Sequence, residues 1–389
     1  MDTTHHYDII VVGAGPAGAM AAKTAAQAGR RVCLLERKDK AGTPVRCGEG
    51  VGLKGVANNN FALAPSWVLA KVSRVRLIAP NDTVVELQSG ADSAIVDRTV
   101  MDYDLAQAAK QAGAAYFTNT PVVSVTRVGD KLYECKSTAA SFFAPCVILA
   151  DGVESRCARS LGWKTALRPE DVDCCAFCHI SHESILDDAC VFYVSNAVTP
   201  AGYAWVFPRG SKSANIGLGV LGSHSSAGKA KELLVQLIES KYPGAQISEM
   251  HCGGVPAGKY LRPLVKDGVM LVGDAARQVI SLTGAGINYS IYAGKLAGNV
   301  AAEAFDNGEI DYRKLRRYEK VWVHGLGKQQ LRSYALKNLL MQNHDDAFLN
   351  KIAASLSKQH AGKMNILRVF LRTFMNNPPA MIKAFLLFK

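Results

Sequence analysis

A short apolar strand that breaks into a glycine loop, a middle stretch of alternating strands and a basic helical tail predict an α/β fold for this chain of 389 residues. The expected architecture is a Rossmann-like nucleotide-binding domain, an inserted antiparallel β-sheet domain and a helical C-terminal region. In the first element, Tyr7-Asp8-Ile9-Ile10-Val11-Val12 reads as a buried central strand. It runs into Gly13-Ala14-Gly15-Pro16-Ala17-Gly18, which opens a small-residue helix to about Ala28. A second strand, Arg31 to Leu35, ends on Glu36. In this Gly-x-Gly-x-x-Gly arrangement Gly13 makes the tight turn, Gly15 lets the backbone touch a pyrophosphate, and Gly18 lets helix and strand pack closely. The phosphates take the positive helix N-terminus, where Pro16 and Ala17 lie, and Glu36 closes on ribose hydroxyls. A carboxylate there favours a free 2′-hydroxyl, which FAD carries.

The chain is long enough for two domains with their own cores, and 49% of its residues are hydrophobic. Because the N-terminus runs into the first strand within a few residues, no signal peptide is expected, and no apolar stretch is long enough to lead one to expect a bilayer span. Ten irregularly spaced cysteines in so large a chain point to reduced thiols and a cytoplasmic setting. The net charge of +12 is uneven: Asp311 to Lys389 holds 15 Lys and Arg against 4 Asp and Glu, or +11. Such a tail suits an acidic partner, whether an anionic lipid, a diphosphate substrate, an acidic redox protein or nucleic acid, or else a solvated helical face.

After Glu36, Arg37 is placed to meet adenosine or pyrophosphate oxygens. The glycine- and proline-rich run from Ala41 to Gly50 returns as a loop, with Arg46 facing phosphate or flavin. Cys47, between that cation and Gly48, has features that lower a thiol pKa, although a buried, inert cysteine is the commoner reading of this residue type. Val72–Leu77 and Thr83–Gln88 form a hairpin about Pro80-Asn81-Asp82. Arg98 precedes a helix running to about Ala112, placed to hold a phosphate or to pair with Asp97 or Asp102. Strands follow at 115–117, 122–128, 132–137 and 146–150, the last ending in Asp151-Gly152. From about Ala166 to Pro256 alternating strands dominate, apart from a helix over 227–242. Cys174, Cys175 and Cys178 lie there near His179, but adjacent Cys174 and Cys175 must point to opposite sheet faces, so no metal site is expected. Gly268–Val272 returns to the buried-strand pattern and leads to Asp274, and Gly284-Ala285-Gly286-Ile287-Asn288 opens a helix to about Phe305. Beyond Asp311 the chain is helical. Amphipathic segments at Lys363–Asn376 and Ala380–Lys389 suit either a membrane interface or docking on the protein's own core.

The glycine loop, the Asp151-Gly152 turn, and Gly273-Asp274 followed by Gly284-x-Gly286 resemble, in that order, FAD-dependent oxidoreductases of the para-hydroxybenzoate hydroxylase-like fold. Within it the sequence resembles the geranylgeranyl reductase family. Pro44-Val45-Arg46-Cys47-Gly48-Glu49-Gly50 is similar to the family's cysteine-containing flavin loop, and Pro200 to Pro208 fits its Pro-x-x-Tyr-x-Trp-x-Phe-Pro signature. Alternation on a strand puts Tyr203, Trp205 and Phe207 on one face as an aromatic wall, which with Pro208 would hold a prenyl chain. The resemblance implies FAD contacts from the glycine loop, Glu36, Arg37, Arg46, Cys47, Gly48, Arg98, Val122, Asp151, Gly152, Asp274, Gly284, Gly286, Ile287 and Asn288. It also implies an FAD-binding domain over 1–70, 94–165 and 262–310. A substrate-binding sheet over 71–93 and 166–261 and a basic helical region over 311–389 complete the expected division. Ala158 stands where the aromatic hydroxylases carry arginine, which weakens a hydroxylase assignment.

The implied activity is saturation of isolated C=C bonds in polyprenyl chains on a diphosphate, lipid, quinone or chlorophyll-precursor head group. Hydride comes from reduced FAD, and Cys47 is the candidate proton donor. NAD(P)H or reduced ferredoxin would supply electrons, and no nucleic-acid partner is expected. The expected location is the cytoplasm, with peripheral contact at the inner membrane face left open. Two rivals remain: a flavin monooxygenase or halogenase acting on an aromatic or quinone, and a flavin protein that binds lipid or senses redox state without turnover.

Overall fold

The computed structural model describes residues 3–341 and 345–357, so the amphipathic segments expected at Lys363–Asn376 and Ala380–Lys389 lie outside the described residues. The chain divides into two compact units, the first comprising Met1–Val45, Arg98–Ala166 and Gly258–Leu331. Its centre is a six-stranded sheet in the order Val265–Lys266, Val269–Leu271, Cys146–Leu149, Ile9–Val12, Val32–Leu35, Ala115–Phe117. All neighbours are parallel except the first pair. Ile9, Ile10, Val11, Leu34 and Ile148 are fully buried, which is why these strands read as unbroken apolar runs.

Helix Pro16–Gln27 lies against helix Ile287–Glu303, with Arg98–Gln111 also packed on it. The first two approach through glycines: a Cβ on Gly294 would stand 2.1 Å from the Ala17 carbonyl oxygen, and one on Gly298 2.4 Å from that of Ala21. This spacing explains the Gly and Ala content of both helices. A second, four-stranded sheet contains Thr3–His6, Ala140–Ala144, Leu132–Ser137 and Val122–Gly129. The first two of these strands escape the sequence pattern because each is short and held by pairing with the other, Thr3 opposite Ala140. Helix Tyr312–His324 follows the N-cap Asp311 and buries Leu315, Tyr318 and Trp322 in the first unit's core. The Tyr318 hydroxyl donates to the Leu271 carbonyl at 2.8 Å and accepts from Gln278 at 2.8 Å, so this tail helix is tied to the central sheet.

The second unit comprises Arg46–Asp97, Leu167–Ala257 and Arg332–Lys389. It is built on a nine-stranded, mainly antiparallel sheet. Val68–Ile78 and Val84–Val96 form the hairpin, the first strand longer at both ends than its apolar alternation suggests and the second running on past Gln88, with Asp82 at φ +60° in the turn. Strands Ala189–Tyr193, Tyr203–Gly210, Ser213–Leu221 and Asp173–Ser181 continue the sheet. One face is covered by helix Lys229–Lys241, whose Leu233, Leu234, Leu237 and Ile238 pack on Ala176, Cys178, Ile216, Leu218 and Val206. Residues of alternate parity therefore line the other face. Among the described residues no helix is long and apolar enough to cross a membrane.

Gly294→Val should destabilise the protein by about 1–3 kcal/mol through overpacking against helix Pro16–Gln27. A urea midpoint equal to wild type would show that the helices can separate without cost.

Candidate functional site

In the first unit, Gly13 adopts φ +98°, and a Cβ there would stand 2.4 Å from the Ala150 carbonyl oxygen. A Cβ on Gly18 would lie 1.8 Å from the carbonyl oxygen of Gly13. Both positions are closed by backbone. Gly15 differs: nothing lies within 4 Å of its Cβ position, and it caps a helix with Pro16 at its first turn. That open backbone at a helix N-terminus is what a pyrophosphate needs. Glu36, 7% exposed, accepts from Ala14 N–H at 2.8 Å and from Lys38 N–H at 3.0 Å, so the carboxylate and the glycine turn are brought together.

Asp151 follows Ala150 and meets the same turn, its backbone nitrogen 3.3 Å from the Gly13 Cβ position. Its side chain is engaged locally, accepting from Ser155 Oγ at 2.8 Å and Cys157 N–H at 3.4 Å. Burial pushes its carboxyl up, and the Ser155 hydroxyl opposes this. Gly152 takes φ +83° with open space at its Cβ position, and Val122 enters the neighbourhood through its carbonyl, 4.0 Å from Cys157 Sγ. Asp274 sits in the turn Gly273–Ala276, its Oδ1 3.5 Å from the Cβ position of Gly286, which caps the helix begun by Ile287 and Asn288. Burial raises the Asp274 carboxyl, with Arg98 opposing. Arg98 itself makes a bidentate pair with Asp102, Nε and Nη2 each at 2.7 Å. Gly284 precedes this helix at φ +67°, and Arg37 is exposed beyond Glu36.

In the second unit, Tyr203, Trp205 and Phe207 share the sheet face opposite the helix-packed side, with ring centroids 6.1 and 6.3 Å apart. Phe192, missed in the sequence, completes the wall at 5.3 Å from Phe207 and 5.7 Å from Tyr203. Pro208 alternates to the other face, paired with Ala214. Next to the wall, Ser213–Leu221 contributes Asn215, Gly217 and Gly219, and beyond it Asp173–Ser181 contributes Cys175, Phe177 and His179. A Cβ on Gly217 would fall 2.3 Å from Trp205 Cζ2, so the indole leans over that glycine. The segment Arg46–Gly50 lies across this face. A Cβ on Gly48 would be 3.1 Å from Trp205 Nε1 and 3.3 Å from Phe207, so a side chain there would press on both rings. Exposed Arg46 passes over Gly253, and Cys47 is half-buried.

A polar cluster anchors that segment, and its members escaped sequence reasoning. Glu49, fully buried at φ +68°, is ion-paired with Arg209 and accepts from Asn215 Nδ2 at 3.1 Å, while His179 Nε2 stands 3.5 Å away. Burial alone would push the Glu49 carboxyl up, but the contacts with His179, Arg209 and Asn215 outweigh it and hold it below its ordinary value. The available signals were an acidic residue between two loop glycines and a lone amide in the apolar strand Ser213–Leu221. At the far end of the same face Asp173 pairs with Lys337 at 3.0 Å; burial raises the Asp173 carboxyl and Lys337 opposes this. All ten cysteines are unbridged; burial pushes the Cys175 thiol up, and that of Cys178, on the helix-covered face, to about 11.

The open backbone at Gly15, the carboxylate of Glu36 and the helix N-termini at Gly15 and Gly286 fit FAD, and with this fold they define an FAD-dependent oxidoreductase. Residues 8–148 match the FAD dependent oxidoreductase family and residues 171–255 the geranylgeranyl reductase catalytic domain. The chain is 39% identical to a digeranylgeranylglycerophospholipid reductase of Methanothrix thermoacetophila, over 96% of this chain and 97% of that one. A geranylgeranyl bacteriochlorophyll reductase-like structure from Thermoplasma acidophilum superposes with a TM-score of 0.90 at 28% identity, covering 99% and 100% of the two chains. A flavin-dependent brominase, at TM-score 0.70 and 17% identity over 98% and 93%, shares the fold. The chain belongs to the geranylgeranyl reductase family of FAD-dependent enzymes, which reduce C=C bonds.

Lys337→Met should cost about 2 kcal/mol at pH 7, less than the 3–5 of a fully buried pair because a fifth of the Asp173 side chain stays exposed. With Lys337 gone the folded-state pKa of Asp173 rises further above its unfolded value. The folded protein then holds the extra proton at low pH and loses that benefit as pH rises through the folded pKa. Urea midpoints of variant and wild type should therefore converge as pH is lowered; a gap independent of pH would refute the assignment.

Proposed function

We propose that this protein saturates the isolated C=C bonds of geranylgeranyl chains carried on a glycerophospholipid, the substrate class that its relatives' names give. The observation that carries this is the aromatic face of Tyr203, Trp205, Phe207 and Phe192, with the Cys47 segment laid across it. A long apolar chain gains by burial against such a wall at about 25 cal/mol per Å2, and the wall excludes water from the bond to be reduced. The glycine turn, Glu36, Asp151 and Asp274 of the first unit hold FAD, which when bound and reduced supplies the hydride. Domain roles divide accordingly: the first unit holds the cofactor and the second the prenyl chain.

An isolated alkene is unpolarised, so the enzyme's contribution is to align it and to keep a proton donor in place. Cys47 is that donor: its thiol proton passes to the second alkene carbon, and solvent reprotonates the thiolate. Electrons come from NAD(P)H or from reduced ferredoxin, and a net charge of +12 favours the acidic protein. The excess of +11 beyond Asp311 suits peripheral attachment to an anionic lipid surface.

Anaerobic incubation of the FAD-loaded protein with dithionite and digeranylgeranylglycerophospholipid should give products heavier by two hydrogens per reduced bond, read by mass spectrometry. Unchanged lipid, or an oxygenated or halogenated product once oxygen and halide are admitted, would overturn the reductase assignment. Cys47→Ala should retain FAD and lose about 100-fold or more in turnover, the scale of a lost general acid. Full turnover would remove Cys47 from the mechanism. Glu36→Ala should weaken FAD binding about tenfold or more, the worth of a hydrogen bond to a charged group, in titrations followed by flavin absorbance.

A further inference from the structure

We propose that Asn215 is a positioning residue that fixes the Cys47 segment against the Trp205 ring, an assignment resting on the prenyl-reductase function above. One amide holds both. Trp205 Nε1–H donates to Asn215 Oδ1 at 3.0 Å, while Asn215 Nδ2 donates to the Cys47 carbonyl at 3.0 Å and to Glu49 Oε2 at 3.1 Å. The orientation of the amide is forced by its partners, because an indole N–H can only donate and a carbonyl or carboxylate can only accept. A single conformation of Asn215 therefore satisfies the substrate wall and the proton-bearing segment together.

Its surroundings argue that the amide is there for this purpose. Asn215 is fully buried in a strand whose other side chains, past Ser213 at its start, are apolar or absent, and an amide in that setting is unfavourable unless bonded. A strand that needed only packing would carry an apolar residue. The second anchor is Glu49, two residues beyond Cys47. Its carboxylate is fastened by Arg209, which also reaches Asp97 at 3.8 Å, so the segment is gripped at Cys47 through its backbone and at Glu49 through its side chain. Between these grips Gly48 lies on the Trp205 and Phe207 rings. The thiol has little freedom left relative to the wall.

The test uses the full-length, FAD-loaded enzyme and two readouts. The first is alkylation of Cys47 by iodoacetamide, resolved by peptide mass spectrometry. The second is turnover under dithionite with kcat and KM separated. Asn215→Leu keeps the branched shape, with bulkier ends, and deletes all three contacts. It should alkylate Cys47 about tenfold faster, and its kcat should fall about 100-fold with KM changed less than about threefold, as expected when a reacting group is misplaced by about 1 Å. Asn215→Gln, which keeps the amide, should recover part of both. Should Asn215→Leu fail to fold, Trp205→Phe removes the indole N–H together with part of the ring while keeping an aromatic side chain, and should alone speed Cys47 alkylation about threefold. Alkylation within twofold of wild type in whichever variant folds with FAD bound would overturn the proposal. A wild-type enzyme inactive on prenyl lipid would sink the reductase reading instead, and the alkylation rates would still decide for or against Asn215.

Discussion

Where the first glycine turn meets the end of strand Cys146–Leu149, backbone touches backbone with nothing between. Gly13 lies against the Ala150 carbonyl and Gly18 against Gly13 itself, at distances no side chain survives. This contact sets the height of helix Pro16–Gln27 above the sheet. The helix in turn sets the approach of Ile287–Glu303, which meets it at Gly294 and Gly298. Two helix N-termini, at Gly15 and Gly286, are thereby held by one chain of close contacts, and Glu36 is tied to the same turn through Ala14. A cofactor carrying two phosphates and a ribose would find such donors and acceptor already fixed, so little ordering entropy would remain to oppose binding.

The second unit divides its sheet between two tasks. The face under helix Lys229–Lys241 is aliphatic and closely packed, and supplies the hydrophobic stabilisation. The opposite face departs from that rule: aromatic rings, two glycines, a buried amide and a buried carboxylate share it. Burying Glu49 would be prohibitive alone, and His179, Arg209 and Asn215 together offset the desolvation. An apolar replacement could be equally stable but would not grip a loop. Retaining charge here is consistent with a surface shaped for position more than for stability.

The strands at 9–12, 32–35 and 146–149, and the helices beginning near Pro16, Arg98 and Ile287, were legible because each has one period and a clear stop signal. The hairpin around Asp82 was legible for the same reason, though its strands run on past the alternation because cross-strand pairing, not pattern, decides where they end. Thr3–His6 and Ala140–Ala144 were not, since neither has a pattern without its partner. Alternation gave Tyr203, Trp205 and Phe207 a common face but could not add Phe192, which joins them by registering opposite Trp205 from another strand.

By itself the sequence determined the local, repeating features: the dinucleotide turn, the aromatic strand and the cysteine loop, each encoded within a few consecutive residues. Only the tertiary structure decided which distant polar groups would share a buried space. Glu49, Asn215 and Arg209 come from three segments, and nothing in the spacing of any one of them announces the others. The physical reason is that periodicity records which face a residue takes. The pairing of a buried charge is settled only when separate strands bring its partners within hydrogen-bond distance.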